Sequence, residues 1–345
     1  MVTTFTYPSN SELMAIERDK IPLLSANRPI FEIIPMKNIK AELLMTEQLA
    51  NIVGIQGVRG MNGAPKSVNG LGSTIRYGEP GVYGEFMTID EKQLTAQRQF
   101  ESYNQPIKID DLVLMKQEQL LERRLNRIEL NGWTLLANGT FTATDPVSGA
   151  VLHTDTYATQ TYVPGIPWET SATATPLADF RGVQLLALGH SVSFGSNSRA
   201  YMNRLTLNKM LSNTNAADLY GRRVTGLATA NSLNQINELF LNDDLPQIVV
   251  YEGSYFTEAG VATRYIPNNK VIVVGHRTTG VPVGNYQFTR NANNPDMAPG
   301  PYMRVTDSLN TGNPVPRTIR LDDGHNGGPV LYYPAAVVAM TIGVT

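Results

Sequence analysis

Nine glycines between residues 54 and 84 constrain the fold of this chain more than any other sequence feature. The stretch is poor in large aliphatic side chains, and strand-like alternation around Phe86, Thr88 and Asp90 follows it. An isolated β-hairpin is only marginally stable in water, because it has too little apolar surface to bury. Residues 57–105 are therefore predicted to form an extended, two-stranded loop that leans on the main body or on another chain. The glycines are Gly54, Gly57, Gly60, Gly63, Gly70, Gly72, Gly78, Gly81 and Gly84.

The clearest helical pattern covers residues 110–131, with Asp110 or Asp111 as the cap and Gly132 as the stop. Three arginines lie together on the polar side of this helix, and such a cluster is more often a solvated face than a site. Its functional interpretation is contact with phosphate or with acidic groups of a neighbour. The arginines are Arg123, Arg124 and Arg127, and the apolar residues at helical spacing are Leu114, Leu121, Leu125 and Ile128.

Residues 264–274, RYIPNNKVIVV, are predicted to form a β-hairpin. Asn268 and Asn269 tolerate the positive φ angles of a tight turn. The second strand, residues 271–274, has no polar face, which is typical of a strand in the middle of a sheet that is covered on both sides.

Other segments alternate between helix and strand. Four prolines interrupt residues 1–40, which favours an extended arm with at most a short helix at 10–20. No linker separates independent domains. The predicted elements are short strands within 138–170, helices at 176–189 and 231–240, a strand passing into a helix at 199–213, and an apolar strand inside a sheet at the end of the chain, from residue 329.

The bulk composition excludes several functions. Of 345 residues, 28 are basic and 30 acidic, which argues against a free-standing cationic nucleic-acid binder. The charged fraction of 17% lies below the usual ~25%, as expected of a surface covered by partners. There is no cysteine, so disulfides and thiolate metal sites are excluded. Neither a signal peptide nor a membrane span is predicted, and we expect a soluble protein made in a reducing compartment.

No catalytic or metal-binding motif is present. Phosphate loops, GxSxG and HExxH do not occur, and the four histidines stand alone, which favours structural or surface roles. The segment LDDGHNGG, residues 321–328, offers Asp322 and Asp323 to a cation. It lacks the spacing of a calcium loop, so a polar turn is the preferred interpretation. No cofactor and no metal are expected.

Several blocks together resemble the lambda-type major capsid proteins of tailed bacteriophages. The resemblance covers most of the chain in order and spacing, and its outer blocks are VRGMNGAP (58–65) and PVLYYPAAVV (329–338). Between them stand Trp168, PLAD (176–179), PQIVVY (246–251) with Tyr255, Gly260, IPNNK (266–270) and VIVV (271–274).

The resemblance implies an α+β chain with the Hong Kong phage-type capsid fold. It assigns residues 1–40 to an N-terminal arm and 57–105 to an extended β-hairpin loop. Residues 178–325 would form an axial α/β domain. A peripheral domain with a long spine helix would consist of residues 41–56, 106–177 and 326–345.

The same resemblance implies a non-enzymatic protein that assembles as hexamers and pentamers into an icosahedral shell around double-stranded DNA. Scaffolding, portal and decoration proteins are possible partners, and a membrane is not. The chain would lie in the virion capsid, and in the host cytoplasm during assembly. The loop residues expected to contact a neighbouring subunit are Tyr77, Glu79, Tyr83, Phe86, Glu91 and Lys92. The arginine cluster, Arg123, Arg124 and Arg127, is expected to face packaged DNA without sequence preference.

Two other functions compete with this one. Another phage component, a tail or connector protein, would form tubes or rings rather than closed shells. A β-rich hydrolase would need paired carboxylates in a cleft. Asp322 and Asp323 are the pair to test, and their alanine variants are expected to be silent if the chain is a capsid protein.

Overall fold

A computed structural model describes most of the chain. Part of the predicted extended loop, residues 65–72, lies outside the described residues, as do residues 214–232. The described residues are 8–49, 55–59, 61, 63–64, 73–96, 98–99, 102–106, 108–144, 150–170, 172–213, 233–277, 282–308 and 316–343.

The described residues mix helices and strands in nearly equal measure. The helices are α1 (Asn10–Ser25), α2 (Ile30–Ile33), α3 (Glu91–Ala96), α4 (Ile109–Asn138), α5 (Pro176–Leu185), α6 (Arg204–Leu211) and α7 (Leu233–Asn242). The strands are β1 (Met36–Asn38), β2 (Leu44–Leu49), β3 (Ser73–Gly78), β4 (Gly81–Ile89), β5 (Arg98–Gln99), β6 (Ser102–Pro106), β7 (Thr140–Thr144), β8 (Val151–Thr156), β9 (Gln160–Tyr162), β10 (Arg199–Met202), β11 (Gln247–Val250), β12 (Ser254–Phe256), β13 (Ala262–Arg264), β14 (Lys270–Val274), β15 (Gly284–Phe288), β16 (Tyr302–Asp307), β17 (Ile319–Leu331) and β18 (Val337–Thr341).

The chain divides into two compact units. Unit 1 consists of Met1–Leu44, Gly78–Asn131 and Asn285–Pro329, and unit 2 of Met45–Tyr77, Gly132–Gly284 and Val330–Thr345. This division differs from the predicted domain boundaries. Residues 285–325 were expected in the axial domain, but they group with 78–131, because β16 and β17 share a sheet with β4.

Unit 1 is built on a five-stranded sheet in the order β1-β15-β17-β16, with β4 also paired to β17. β17 is antiparallel to both β4 and β16, and the same residues, 319–324, pair with each of them. A strand residue has one neighbour on each side, so β4 and β16 lie on opposite sides of β17.

The segment LDDGHNGG is a strand, not the predicted polar turn. It forms the middle of β17, where glycines let other atoms approach closely. A Cβ atom on Gly324 would lie 2.5 Å from the carbonyl oxygen of Tyr83 and 2.8 Å from the hydroxyl of Tyr302. Gly324 in this segment therefore serves close packing inside a sheet.

Helix α1 packs on the core of unit 1. Ser9 and Glu12 form a capping box at its start, and Leu13 is fully buried beside Leu112 of α4 and Leu321 of β17. The helix extends beyond the predicted residues 10–20 and continues through Pro22 to Ser25. Apolar packing and the cap offset the hydrogen bond that proline cannot donate.

Unit 2 is built on a second five-stranded sheet, in the order β11-β10-β14-β18-β9. β14 lies in the middle, antiparallel to β10 and β18, and Val271, Ile272 and Val273 are buried. The predicted central strand is confirmed. Of the two asparagines predicted in the turn, Asn269 has a positive φ, 62°, and Asn268 does not. The predicted hairpin is wrong, because β13 pairs with β12.

Helix α4 runs seven residues past its predicted last residue, 131, to Asn138. A glycine inside a helix costs only about 1 kcal/mol, and Trp133, Leu135 and Leu136 after Gly132 are fully buried. The helix ends where Gly139 adopts a φ of 69°, a conformation that favours glycine. No helix in the described part of the chain is long and apolar enough to cross a membrane.

Candidate assembly interface

β4 forms an open edge of the unit 1 sheet. It pairs with β17 from Gly81 to Ile89, and within the described residues it pairs with no other strand. In an antiparallel strand the backbone groups of alternate residues point to opposite sides. Half of the polar groups of β4 therefore point away from β17, along the side that we call the open edge. Val82 and Phe86 are 77% and 56% exposed.

This arrangement differs from the predicted self-paired loop. β3 pairs with β2 and β4 with β17, so these two strands do not pair with each other. Nine residues of the predicted loop belong to the sheet of unit 1. Period-two alternation in the sequence identified β4 as a strand, but it did not identify its partner, whose paired residues lie 230 or more positions away in the chain.

Five of the six predicted contact residues are exposed, and one is not. Tyr83 is half-buried: its hydroxyl accepts a hydrogen bond from Asn131 Nδ2 at 3.0 Å, and its ring stacks on His325 at 4.9 Å. Burial raises the pKa of the Tyr83 hydroxyl. Tyr83 is therefore a packing residue of its own unit. The exposed residues are Tyr77, Glu79, Phe86, Glu91 and Lys92.

The three arginines of the predicted cluster do not share one exposed surface. Arg123 is exposed and forms a bidentate pair with Glu85 of β4, at 2.5 and 2.9 Å. This hydrogen-bonded pair lowers the pKa of Glu85. Arg127 is exposed, with its guanidinium 5.9 Å from the centre of the Tyr83 ring. Arg124 is buried and cannot present a surface to DNA.

Arg124 forms ion pairs with two buried carboxylates. Glu17 of α1 and Asp323 of β17 both contact its guanidinium, so three elements meet at one cation. Burial raises the pKa of Asp323 to about 6, and Arg124 opposes that rise. Because a guanidinium carries its donors in a fixed planar fork, it can hold two carboxylates at once.

The carboxylates of Asp322 and Asp323 do not form a pair. Successive strand residues point to opposite faces, and Asp322 instead contacts Arg320 at 2.6 Å. The prediction that alanine at these positions is silent stays a prediction about activity. Asp323→Ala would also remove one of the two carboxylates held by buried Arg124, so a loss of stability is expected at that position.

His325 lies inside the same sheet, and its imidazole is not accessible from the surface. It is 1% exposed and shares a 3.0 Å hydrogen bond with the Tyr286 hydroxyl. Burial lowers the pKa of its imidazole well below the usual value, so the ring is neutral. Among the described residues, no group of three metal-ligating side chains comes together.

Comparison with known proteins identifies the family of this chain. The sequence model of phage major capsid protein E matches residues 21–294. The chain belongs to the phage major capsid protein E family. A search of curated proteins found no match.

Solved structures share the fold of this phage capsid protein at low sequence identity. A prophage capsid protein from E. coli CFT073 has a TM-score of 0.62 at 12% identity, covering 98% of this chain and 100% of the other. A phage-related protein from Bordetella bronchiseptica RB50 has a TM-score of 0.55 at 9% identity, with 97% of each chain covered. The capsid of Cyanophage P-SCSP1u has a TM-score of 0.50 at 9% identity, covering 91% of this chain and 88% of the other.

Three predictions are thereby confirmed: the capsid family, the α+β tailed-phage capsid fold, and a shell-forming function. The family and the fold indicate a structural role.

Sequence reasoning missed several residues of this region. Val82 follows the same period-two pattern as Phe86 and could have been found from it. Glu17 and Asn131 could not, because their partners, Arg124 and Tyr83, are distant in the sequence and no local pattern marks them.

Proposed function

We propose that this capsid protein assembles as hexamers and pentamers into the icosahedral shell of a tailed phage, around double-stranded DNA. The observation that carries the proposal is the family match over residues 21–294, which is supported by a fold shared with a prophage capsid protein. The chain is then a virion component that assembles in the host cytoplasm. Scaffolding, portal and decoration proteins are its further partners.

The exposed residues of the predicted loop supply contacts to neighbouring subunits. Phe86 supports this role, because its ring is half exposed and Arg320 lies over it at 4.0 Å, which holds an apolar group at the surface. A low charge fraction also suits a surface that neighbours cover. The contacts named are Tyr77, Glu79, Phe86, Glu91 and Lys92.

The domain roles inferred from the resemblance remain part of the proposal, with the boundaries changed by the contacts. Helix α4 serves as the spine helix, and residues 1–40 as the arm. The sheet of β9, β10, β11, β14 and β18 serves as the axial body, without residues 285–325, which group with unit 1.

Imaging of the expressed chain tests the proposal. Closed particles in negative-stain images, with matching fast sedimentation, are the expected result. Rings or tubes would favour a connector or tail protein. A stable monomer under every assembly condition would contradict both.

DNA contact is proposed for Arg123 and Arg127 only, because Arg124 is buried. The double variant Arg123→Gln/Arg127→Gln should lower DNA retention in filled particles and reduce its salt dependence, since each neutralised phosphate contact contributes to that slope. Retention is measured across ionic strengths, with Lys116→Gln, a partly exposed basic residue of the same helix, as the control. Unchanged retention at every salt concentration would contradict DNA contact.

A further inference from the structure

We propose that helix α1 is a strap whose docking on its own subunit is controlled by a proton held in a buried group of charged side chains, Glu17 of α1, Arg124 of α4 and Asp323 of β17. We call these residues the buried triad. With the proton bound, α1 stays docked, and when the proton leaves, α1 opens. The inference goes beyond the proposed function and does not depend on it, because it concerns a single subunit before assembly.

Helix α1 is attached to unit 1 by few buried side chains. Of its 16 residues only Leu13 and Glu17 are buried, and they lie about one helical turn apart on the same face. Leu13 packs in the core of unit 1, and its carbonyl accepts a hydrogen bond from Gln117 Nε2 at 2.6 Å. Glu17 contacts Arg124. One of the two buried anchors of α1 is therefore an ion pair, so the charge state of that pair decides how firmly the helix is docked.

The buried triad has one positive charge for two carboxylates. Arg124 contacts both of them, and Glu17 Oε2 is buried without a hydrogen-bond partner among the described residues. An uncompensated charge inside a protein is costly, and it is relieved when a carboxylate takes up a proton or moves into water. Glu17 can move with α1. Asp323 cannot, because its strand is paired on both sides, to Glu85 and to Met303.

Asp323 is the carboxyl group that takes the proton. Burial raises the pKa of Asp323 to about 6, Arg124 opposes the rise, and Glu85 of β4 adds to it. The hydroxyl of Tyr302 on β16 also lies near Asp323, and burial raises its pKa. Burial lowers the pKa of His325, on the same face of β17, well below its usual value. Tyr302 and His325 are both neutral around pH 6, so Asp323 alone changes charge there.

Opening of α1 is expected to increase with pH. When α1 is open, water reaches the buried triad and Arg124 neutralises Asp323 alone, so the pKa of Asp323 falls toward its ordinary value of about 3.9. Between about pH 4 and 6, the docked state therefore holds a proton that the open state has lost. Docking is favoured below this window and weakens as pH rises through it. Since one pKa unit is a factor of ten, the opening equilibrium should increase by up to ~100-fold.

A single engineered cysteine measures this opening, because the natural chain has none. Leu13→Cys places a thiol where a reagent reaches it only when α1 leaves unit 1, since Leu13 is fully buried. Dithiodipyridine, which reacts with thiols in acid as well as at neutral pH, is added to the full-length, unassembled subunit between about pH 4 and 7. Each rate is divided by that of Val151→Cys, an exposed site in unit 2, which removes the pH dependence of the thiol itself.

The expected result is a normalised rate at Leu13→Cys that rises by ~10- to 100-fold across this range. Asp323→Asn in the same chain should keep the low rate at every pH, because the amide replaces the protonated carboxyl group. Glu17→Gln should also abolish the rise, because Arg124 then holds only one carboxylate. Asp322→Asn, on the opposite face of β17, is the matched control and should retain the rise.

A rate at Leu13→Cys that does not change with pH, or a rise that survives in Asp323→Asn or in Glu17→Gln, would overturn the inference. Phe288→Cys, at a buried residue of β15 in the same unit, separates opening of α1 from unfolding of unit 1. It should react more slowly than Leu13→Cys at every pH, and equal rates at the two sites would also overturn the inference. Hydrogen exchange of residues 13–20 in the natural chain, corrected with an unstructured peptide of that sequence, gives the same test if Leu13→Cys does not fold.

Discussion

The two five-stranded sheets of this capsid protein differ at both centre and edge. In unit 2, the central strand β14 is apolar on both faces, and Asn237 closes the edge strand β11. In unit 1, the central strand β17 carries Asp323 and His325 inside the protein, and the edge strand β4 is open. A self-assembling chain must leave strand edges unpaired where neighbouring subunits bind and must cover its other strand edges. Among the described residues, the contrast places an unpaired strand edge in unit 1, at β4, and in unit 2 an edge strand, β11, on which the backbone groups of Ile248 are already hydrogen-bonded.

The largest expected effect concerns the charged centre of unit 1. Arg124→Met leaves Glu17 and Asp323 buried without their cation, which typically costs about 3–5 kcal/mol of unfolding free energy. Urea unfolding of the unassembled subunit measures it. Arg123→Met is the matched control and should cost about 1 kcal/mol or less, since its pair with Glu85 is exposed. Equal losses in both variants would refute the distinction.

A second test uses pH. The folded-state pKa of Asp323, about 6, lies above the unfolded value of about 3.9. Between pH 4 and 6 the folded state therefore binds a proton that the unfolded state has lost, and stability contributed by this group falls as pH rises through that window. Asp323→Asn should remove this pH dependence, which amounts to about 1–3 kcal/mol of unfolding free energy across the window. Asp322→Asn, on the opposite face, should retain it; a slope that survives in Asp323→Asn would contradict the assignment.

A third, smaller effect concerns the closed edge of unit 2. Asn237→Ala removes both hydrogen bonds to Ile248 and should cost about 1–2 kcal/mol. It should also make the subunit self-associate irregularly, because the edge of β11 is then available. Thermal unfolding and light scattering measure the two effects. Asn242→Ala, an exposed residue of the same helix, should change neither.

Local pattern predicted much of this fold, and long-range pairing accounts for most of what it missed. The apolar run at 271–274 identified a central strand. The helical spacing of apolar residues between Leu114 and Ile128 identified α4. The partner of β14 could not be predicted, because β18 lies more than 60 residues away. Gly132 was predicted to end the helix, but it lies inside α4. The segment that contains Gly324 was predicted as a polar turn, but it lies inside β17, where Tyr83 and Tyr302 approach that glycine. In the candidate site, the exposure of Phe86 could be predicted from the sequence. The burial of Arg124 could not, since it depends on Glu17 of a helix that is distant in the sequence.

Hydrogen exchange, compared between free subunits and assembled particles, tests most directly whether the two edges have opposite roles. The account predicts that peptides covering residues 81–89 gain protection at alternate amides on assembly, while peptides covering 247–250 remain unchanged. Protection gained at 247–250 with none at 81–89 would contradict it.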